Sequence, residues 1–199
     1  LLGSLRSFWR ETVRPKVRNL ADLDWLAGQC GVIAAMPHVH GKRTYKLATL
    51  ATDRPHSKLA EAVRSLRTAL ALENNGQLPK VIHLTSCHPS EGKTTIAINL
   101  ASSLAQTGKR ILLIDADLRK PAVHRYLRLD NNIGLANYLA GERIVPQKIE
   151  GFDRFMVMCA GPALVDTVQG LDSKQMSELL HKARLVFDHV IIDAPPTLG

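Results

Sequence analysis

The stretch "KVIHLTSCHPSEGKTTIAINLASSLAQTG", Lys80 to Gly108, constrains the fold more than any other part of the chain. An apolar run of strand length leads into a polar loop, and helical periodicity begins at Gly92-Lys93-Thr94. A loop that closes in GK[ST], with a strand before it and a helix after it, is a phosphate-binding loop. Backbone N–H groups from about Ser90 to Thr95 would face a phosphate at the positive end of the helix. Lys93 would reach its outer oxygens, and Thr94 would hold a magnesium ion. Cys87 stands where the usual pattern has its first glycine. Taken alone, "EGKTT" is equally an ordinary helix start.

Two further aliphatic runs end in carboxylates. "RILLIDADLRKP" carries Asp115 and Asp117, two apart and so on one side of a strand if the extended geometry persists. "DHVIIDAPP" puts Asp193 at the tip of another buried strand. Carboxylates at such tips organise Mg²⁺, and one can accept a proton from an attacking hydroxyl. Helical periodicity in "DSKQMSELLHKARLVF", short helices in "PAVHRYL" and "GLANYLAG", and a strand candidate in "RFMVMCAG" complete the alternation. Strands alternating with helices at these lengths predict an α/β fold, a parallel sheet flanked by helices. Ligands then bind outside the carboxyl ends of the strands, where all three motifs lie.

The front of the chain reads differently. In "SKLAEAVRSLRTALALENNG", Leu59, Val63, Leu66 and Leu70 recur at helical spacing; Ser57 caps the start and Asn74-Asn75-Gly76 stops the helix. Residues 38–56 read as a linker. Before it, Asn19 caps a short helix, and the apolar run Val32 to Met36 ends at Pro37. Of the net charge of +8, the first 50 residues hold +5 and the rest +3. A basic front with Phe8 and Trp9 resembles the cytoplasmic edge of a membrane helix that has just ended. No apolar run reaches the roughly 20 residues needed to span a bilayer. Cys30, Cys87 and Cys159 have neither zinc nor disulfide spacing, and His38, His40, His83 and His88 lack metal-ligand spacing.

The order S-x-x-P-x-E-G-K-T-T, I-L-L-I-D-A-D-L-R-K-P, V-I-I-D-A-P-P resembles the bacterial tyrosine kinases of capsule and exopolysaccharide synthesis, relatives of the MinD/ParA ATPases. The resemblance implies a P-loop NTPase-type sheet at 51–199 that runs on beyond the third motif, with 1–50 as a juxtamembrane segment after a membrane helix. It implies γ-phosphoryl transfer from Mg-ATP to tyrosine hydroxyls. Pro89, Ser90, Glu91, Gly92, Lys93, Thr94 and Thr95 would hold the nucleotide. Lys93, Asp115 and Asp117 would serve catalysis, with Asp115 as base or Mg²⁺ organiser and Asp117 in support. Thr94, Asp115 and Asp193 would serve the metal.

Glu61, Arg64 and Arg67 match the E-x-x-R-x-x-R signature through which the family's subunits pack into a ring. The implied partners are further copies, the polysaccharide export machinery and a phosphatase, at the cytoplasmic face of the inner membrane, with no nucleic acid. Tyr45, Tyr126 and Tyr138 are dispersed and do not form the expected acceptor cluster. Arg119 and Lys120 either touch phosphate or a neighbouring subunit, or face solvent. Two alternatives stand beside the kinase: a MinD/ParA-type ATPase switch, which usually carries an additional early lysine that "CHPSEGK" lacks, and a nucleotide-gated scaffold.

Overall fold

The computed structural model describes residues 31–38, 50–162 and 173–198. The chain divides into two units, Leu1–Ala35 and Met36–Gly199. Of the first, only residues 31–35 are described, without regular secondary structure. The helix expected after Asn19 and the basic front with Phe8 and Trp9 lie outside the described residues.

The second unit is a three-layer α/β/α arrangement. In chain order its elements are α1 (Leu50–Asp53), α2 (Lys58–Glu73), β1 (Val81–Leu84), α3 (Lys93–Ala105), β2 (Ile111–Asp115) and α4 (Val123–Leu127). They continue with α5 (Leu135–Leu139), β3 (Gln147–Lys148), β4 (Phe155–Met158), α6 (Lys174–Val186) and β5 (His189–Asp193). The sheet order is β1-β5-β2-β4-β3. The first four strands in that order run parallel, and β3 pairs antiparallel to β4. The sheet is therefore mixed, where the alternation predicts an all-parallel one: two polar residues, Gln147 and Lys148, add a short return strand that carries no hydrophobic pattern to announce it. Likewise α1 occupies the end of the segment read as a linker.

Burial explains the placement. Every residue of β2 and β5 is buried, as central parallel strands covered on both faces require. Leu112, Ile114, Val190 and Ile192 pack on one face with Leu135 and Ala136 of α5 and Met176, Leu179 and Ala183 of α6. Alternation sends Ile111, Leu113 and Ile191 to the other face, the side of α3. α3 lies between the sheet and the α1–α2 pair, and ten of its thirteen residues are buried. A helix buried nearly all round, its polar Thr94, Asn99, Ser102 and Ser103 included, is an interior helix. Burying Ile98, Leu100 and Leu104 contributes on the order of 2 kcal/mol each. Covering α3 from outside, α2 buries Leu59, Ala60, Val63 and Leu66, while Leu70 is only half buried.

The caps form where the residue types dictate. Ser57 Oγ accepts from Ala60 N–H and Ser173 Oγ from Met176 N–H, each at 3.2 Å. Asn75 and Gly76, at φ 55° and 80°, end α2, with Gly76 N–H donating to Ala71 O. Among the described residues no helix is long and apolar enough to cross a membrane.

Candidate active site

The carboxyl ends of β1, β2 and β5 bring the three motifs together. β1 leads into the loop 85–92, and α3 begins at Lys93 with Gly92 as N-cap at φ 91°, a conformation that favours glycine. Ser90 is also left-handed, at φ 67°. Neither Cys87 nor His88 has a positive φ, so the backbone places no demand for glycine where the usual pattern has one. The first-turn N–H groups of Lys93, Thr94 and Thr95 have no partner inside the helix and point out of its positive end.

Lys93 Nζ lies 3.2 Å from Asp117 Oδ2 and 3.4 Å from Asp193 Oδ1, with all three side chains nearly buried. Thr94 Oγ1 donates to Asp193 Oδ2 at 2.6 Å. In the β2–β5 register Asp115 stands opposite Asp193. Two carboxylates, of Asp117 and Asp193, thus flank one ammonium group, with Asp115 beside Asp193 in the sheet.

Asp115 and Asp117 do not project side by side. Extended geometry stops at Asp115 because its own Oδ1 accepts from Asp117 N–H at 3.2 Å and so turns the chain. Its Oδ2 accepts from Ala122 and Val123 N–H at 3.1 and 3.0 Å, which ties the start of α4 to β2. Asp115 is fully buried and holds backbone, unlike the open strand-tip carboxylate that the spacing predicts. Asp117 faces Lys93 through Oδ2, while its Oδ1 accepts from Lys120 N–H at 3.0 Å. Of the pair, Asp117 is the one that faces the lysine of the phosphate loop.

Burial, then the charge of Asp193, pushes the Asp115 carboxyl up to about 7, against the three N–H groups that favour its ionised form. Asp193 is also raised by burial, opposed by Thr94 and Lys93. Between the unfolded value near 4 and the folded value, the folded state keeps a proton that the unfolded chain has lost. This contribution to stability is fully present below about pH 4 and is lost as pH rises through about 7. Without divalent cation, the thermal midpoint is expected to fall between pH 6 and pH 8; a rising profile would refute the assignment.

The donor set fits Mg²⁺. Among the described residues no group of three or more His, Cys, Asp or Glu side chains is arranged to hold a metal alone. Mg²⁺ takes hard oxygens, commonly one or two carboxylates with phosphate oxygens and waters, and a site with more carboxylate than ammonium charge matches that demand.

The remaining candidates are dispersed. The Glu91 carboxylate folds onto its own loop, accepting from Cys87 and His88 N–H. Glu61 and Arg64 are exposed on α2 and line a shallow groove with Ser65, Thr68, Ala69 and Leu72. Arg67 leaves that stripe: its guanidinium turns in to Ser103 of α3, with Nη1 2.9 Å from Oγ. Residues three apart drift about 60° round a helix at each step, so the third member reaches the buried face. Arg119 and Lys120 are exposed, and Tyr126 and Tyr138 are half buried. Tyr45 and His40 lie outside the described residues.

Sequence reasoning missed the strap after β5. Thr197 N–H donates to Ser86 O and Leu198 N–H to Cys87 O, while Thr85 Oγ1 donates to Pro195 O, so residues 194–198 hold the entry to the phosphate loop. The Pro195-Pro196 pair is the only signal that a fixed, non-helical segment follows Asp193.

A family model described as an AAA domain matches residues 79–199. The kinase domain of the Escherichia coli tyrosine kinase Etk superposes with a TM-score of 0.74 at 32% identity, covering 83% of this chain and 69% of that one. The chain belongs to the bacterial tyrosine kinases. In sequence, the tyrosine-protein kinase YwqD of Bacillus subtilis is 38% identical over 152 residues, 75% of this chain. The chain spans 64% of that protein and 22% of whole Etk, to which it is 35% identical over 159 residues. The fold extends to MinD of Pyrococcus horikoshii, solved with Mg-ADP: TM-score 0.52, 26% identity, 60% of this chain and 50% of that one. As a P-loop domain of this family, the chain has the fold of a nucleotide-binding protein.

Proposed function

We propose that this chain is the ATP-binding and catalytic part of a protein-tyrosine autokinase that controls exopolysaccharide or capsule chain length. The observation that carries the reading is the convergence of Lys93 and Thr94, from the phosphate loop, on Asp117 and Asp193. ATP is the substrate. The N–H groups opening α3 receive its phosphates, and Lys93, drawn from its carboxylates, neutralises charge that develops on the transferred group.

Mg²⁺ would be held by Thr94 and Asp193 with support from Asp117, and when bound supplies charge neutralisation at the phosphates. Thr94 can present a lone pair outward while its proton stays on Asp193. Asp117 is the carboxylate suited to accept the tyrosine proton, and Asp115 sets its position through the Asp117 amide. The exposed Glu61 and Arg64 serve contact with a second copy in a ring, and Arg67 supports that helix from inside. The place of action is the cytoplasmic face of the inner membrane, reached through the basic residues 1–50, beside the polysaccharide export machinery and a phosphatase.

The test is phosphopeptide mapping by mass spectrometry after incubating the full-length protein with Mg-ATP, beside a Lys93→Met control. Phosphotyrosine absent from the control is the expected result. Release of ADP with no phosphopeptide would overturn the kinase reading in favour of a MinD/ParA-type switch.

A further inference from the structure

The motif places Glu91 among the nucleotide ligands, yet its carboxylate turns back on the loop. Glu91 Oε2 accepts from Cys87 N–H at 3.0 Å and from His88 N–H at 3.1 Å. We propose that Glu91 is a positioning residue: it staples the incoming limb of the phosphate loop to the outgoing limb and so keeps the cradle formed before nucleotide arrives. This rests on the reading that the loop binds ATP.

The incoming limb is fixed on its carbonyl side, where Ser86 O and Cys87 O accept from Thr197 and Leu198 N–H at 2.9 and 3.0 Å. Glu91 fixes the amide side of the same limb. Between the limbs lie Pro89 and the left-handed Ser90, and Gly92, also at positive φ, follows Glu91. Bonds from N–H groups to a carboxylate are charge-assisted, and they tie limbs that Ser90 and Gly92 would otherwise let pivot.

Cys87 and His88 precede the opening turn of α3 by five or more residues, and the N–H groups of that turn, without partners inside the helix, would be the phosphate donors. The carboxylate therefore braces the loop and leaves the phosphate seat open. It also accounts for the residue at position 87: a loop pinned at that amide, with no positive φ there, accommodates Cys87. Ordering the cradle in advance removes a cost that binding would otherwise carry.

The test compares wild type, Glu91→Gln and Glu91→Ala in two measurements: hydrogen–deuterium exchange of residues 84–92 without nucleotide, and equilibrium binding of a fluorescent ATP analogue with Mg²⁺. Glutamine keeps an acceptor oxygen at the same reach, so exchange and affinity are expected within about twofold of wild type. Alanine removes both bonds, and about tenfold faster exchange with about tenfold weaker binding is expected. Unchanged exchange in Glu91→Ala would overturn the staple. Tighter binding in both variants would also overturn it, since the carboxylate would then act by repelling phosphate. Failure of wild type to bind the analogue would remove the nucleotide reading instead, and the exchange comparison would still decide the staple.

Discussion

Lys93→Met is expected to lower tyrosine phosphorylation by at least about 10²-fold, the scale of removing one preorganised charge partner from a transition state. The same change has a second, separable effect on the unliganded domain. Methionine fills much of the lysine's volume but leaves Asp117 and Asp193 without their cation, and both carboxylates are nearly out of water. Breaking a buried pair from one side costs about 3–5 kcal/mol when the remaining charge cannot escape.

Here it can escape in part. Asp193 already sits above the usual carboxylate range because of burial, and loss of the lysine removes a charge that opposes that shift. Asp193 of the variant therefore holds its proton to higher pH than that of wild type. Its destabilisation is expected to be largest where Asp193 is ionised and to shrink as falling pH protonates that carboxylate. A loss of roughly 6–12 °C in thermal midpoint at pH 8 corresponds to about 3 kcal/mol in a domain of this size. Mg²⁺ without nucleotide is expected to restore more of that midpoint in the variant than it adds to wild type. Equal midpoints for variant and wild type at pH 8 would show that the ion pairs contribute nothing net.

The parts of this site that were legible in the sequence are those fixed by periodicity and strand ends. Lys93, Thr94 and Asp193 converge because each sits at the edge of an element whose boundary the hydrophobic pattern announces. The caps at Ser57 and Asn74-Asn75-Gly76 were legible for the same local reason. What escaped depends on where a polar side chain turns once its backbone is placed. Asp115 could serve the open tip or its own chain, and the amides of Asp117, Ala122 and Val123 decide for the chain. Glu91 could face a ligand or its own loop, and the amides of Cys87 and His88 decide again. Arg67 obeys the motif spacing yet points inward, because a three-residue repeat drifts toward the packed side of a 3.6-residue helix.

Gly134→Ala is expected to be the most damaging small substitution outside the site, and the reason is contact rather than conformation. Gly134 has extended backbone, φ −173°, open to any residue. A Cβ there would collide with the backbone of Cys159, Ala160 and Gly161, none of which is a flexible side-chain end. The approach is close because Leu135 and Ala136 N–H donate to Cys159 O and Ala160 O at 2.8 Å, seating α5 on the end of β4. Relief would break those bonds and lift the fully buried Leu135 and Ala136 from the core under α6. A loss of more than about 3 kcal/mol is expected, beyond the usual range for added bulk because the obstacle is main chain.

Gly141→Ala supplies the comparison. That residue is left-handed at φ 97°, and a methyl group added there would meet nothing within 4 Å, so its cost is conformational, about 1–2 kcal/mol. Chemical denaturation of the two variants separates the mechanisms. If Gly134→Ala were no worse than Gly141→Ala, the 159–161 backbone would have to yield cheaply, and the seat of α5 on β4 would be softer than its hydrogen bonds imply.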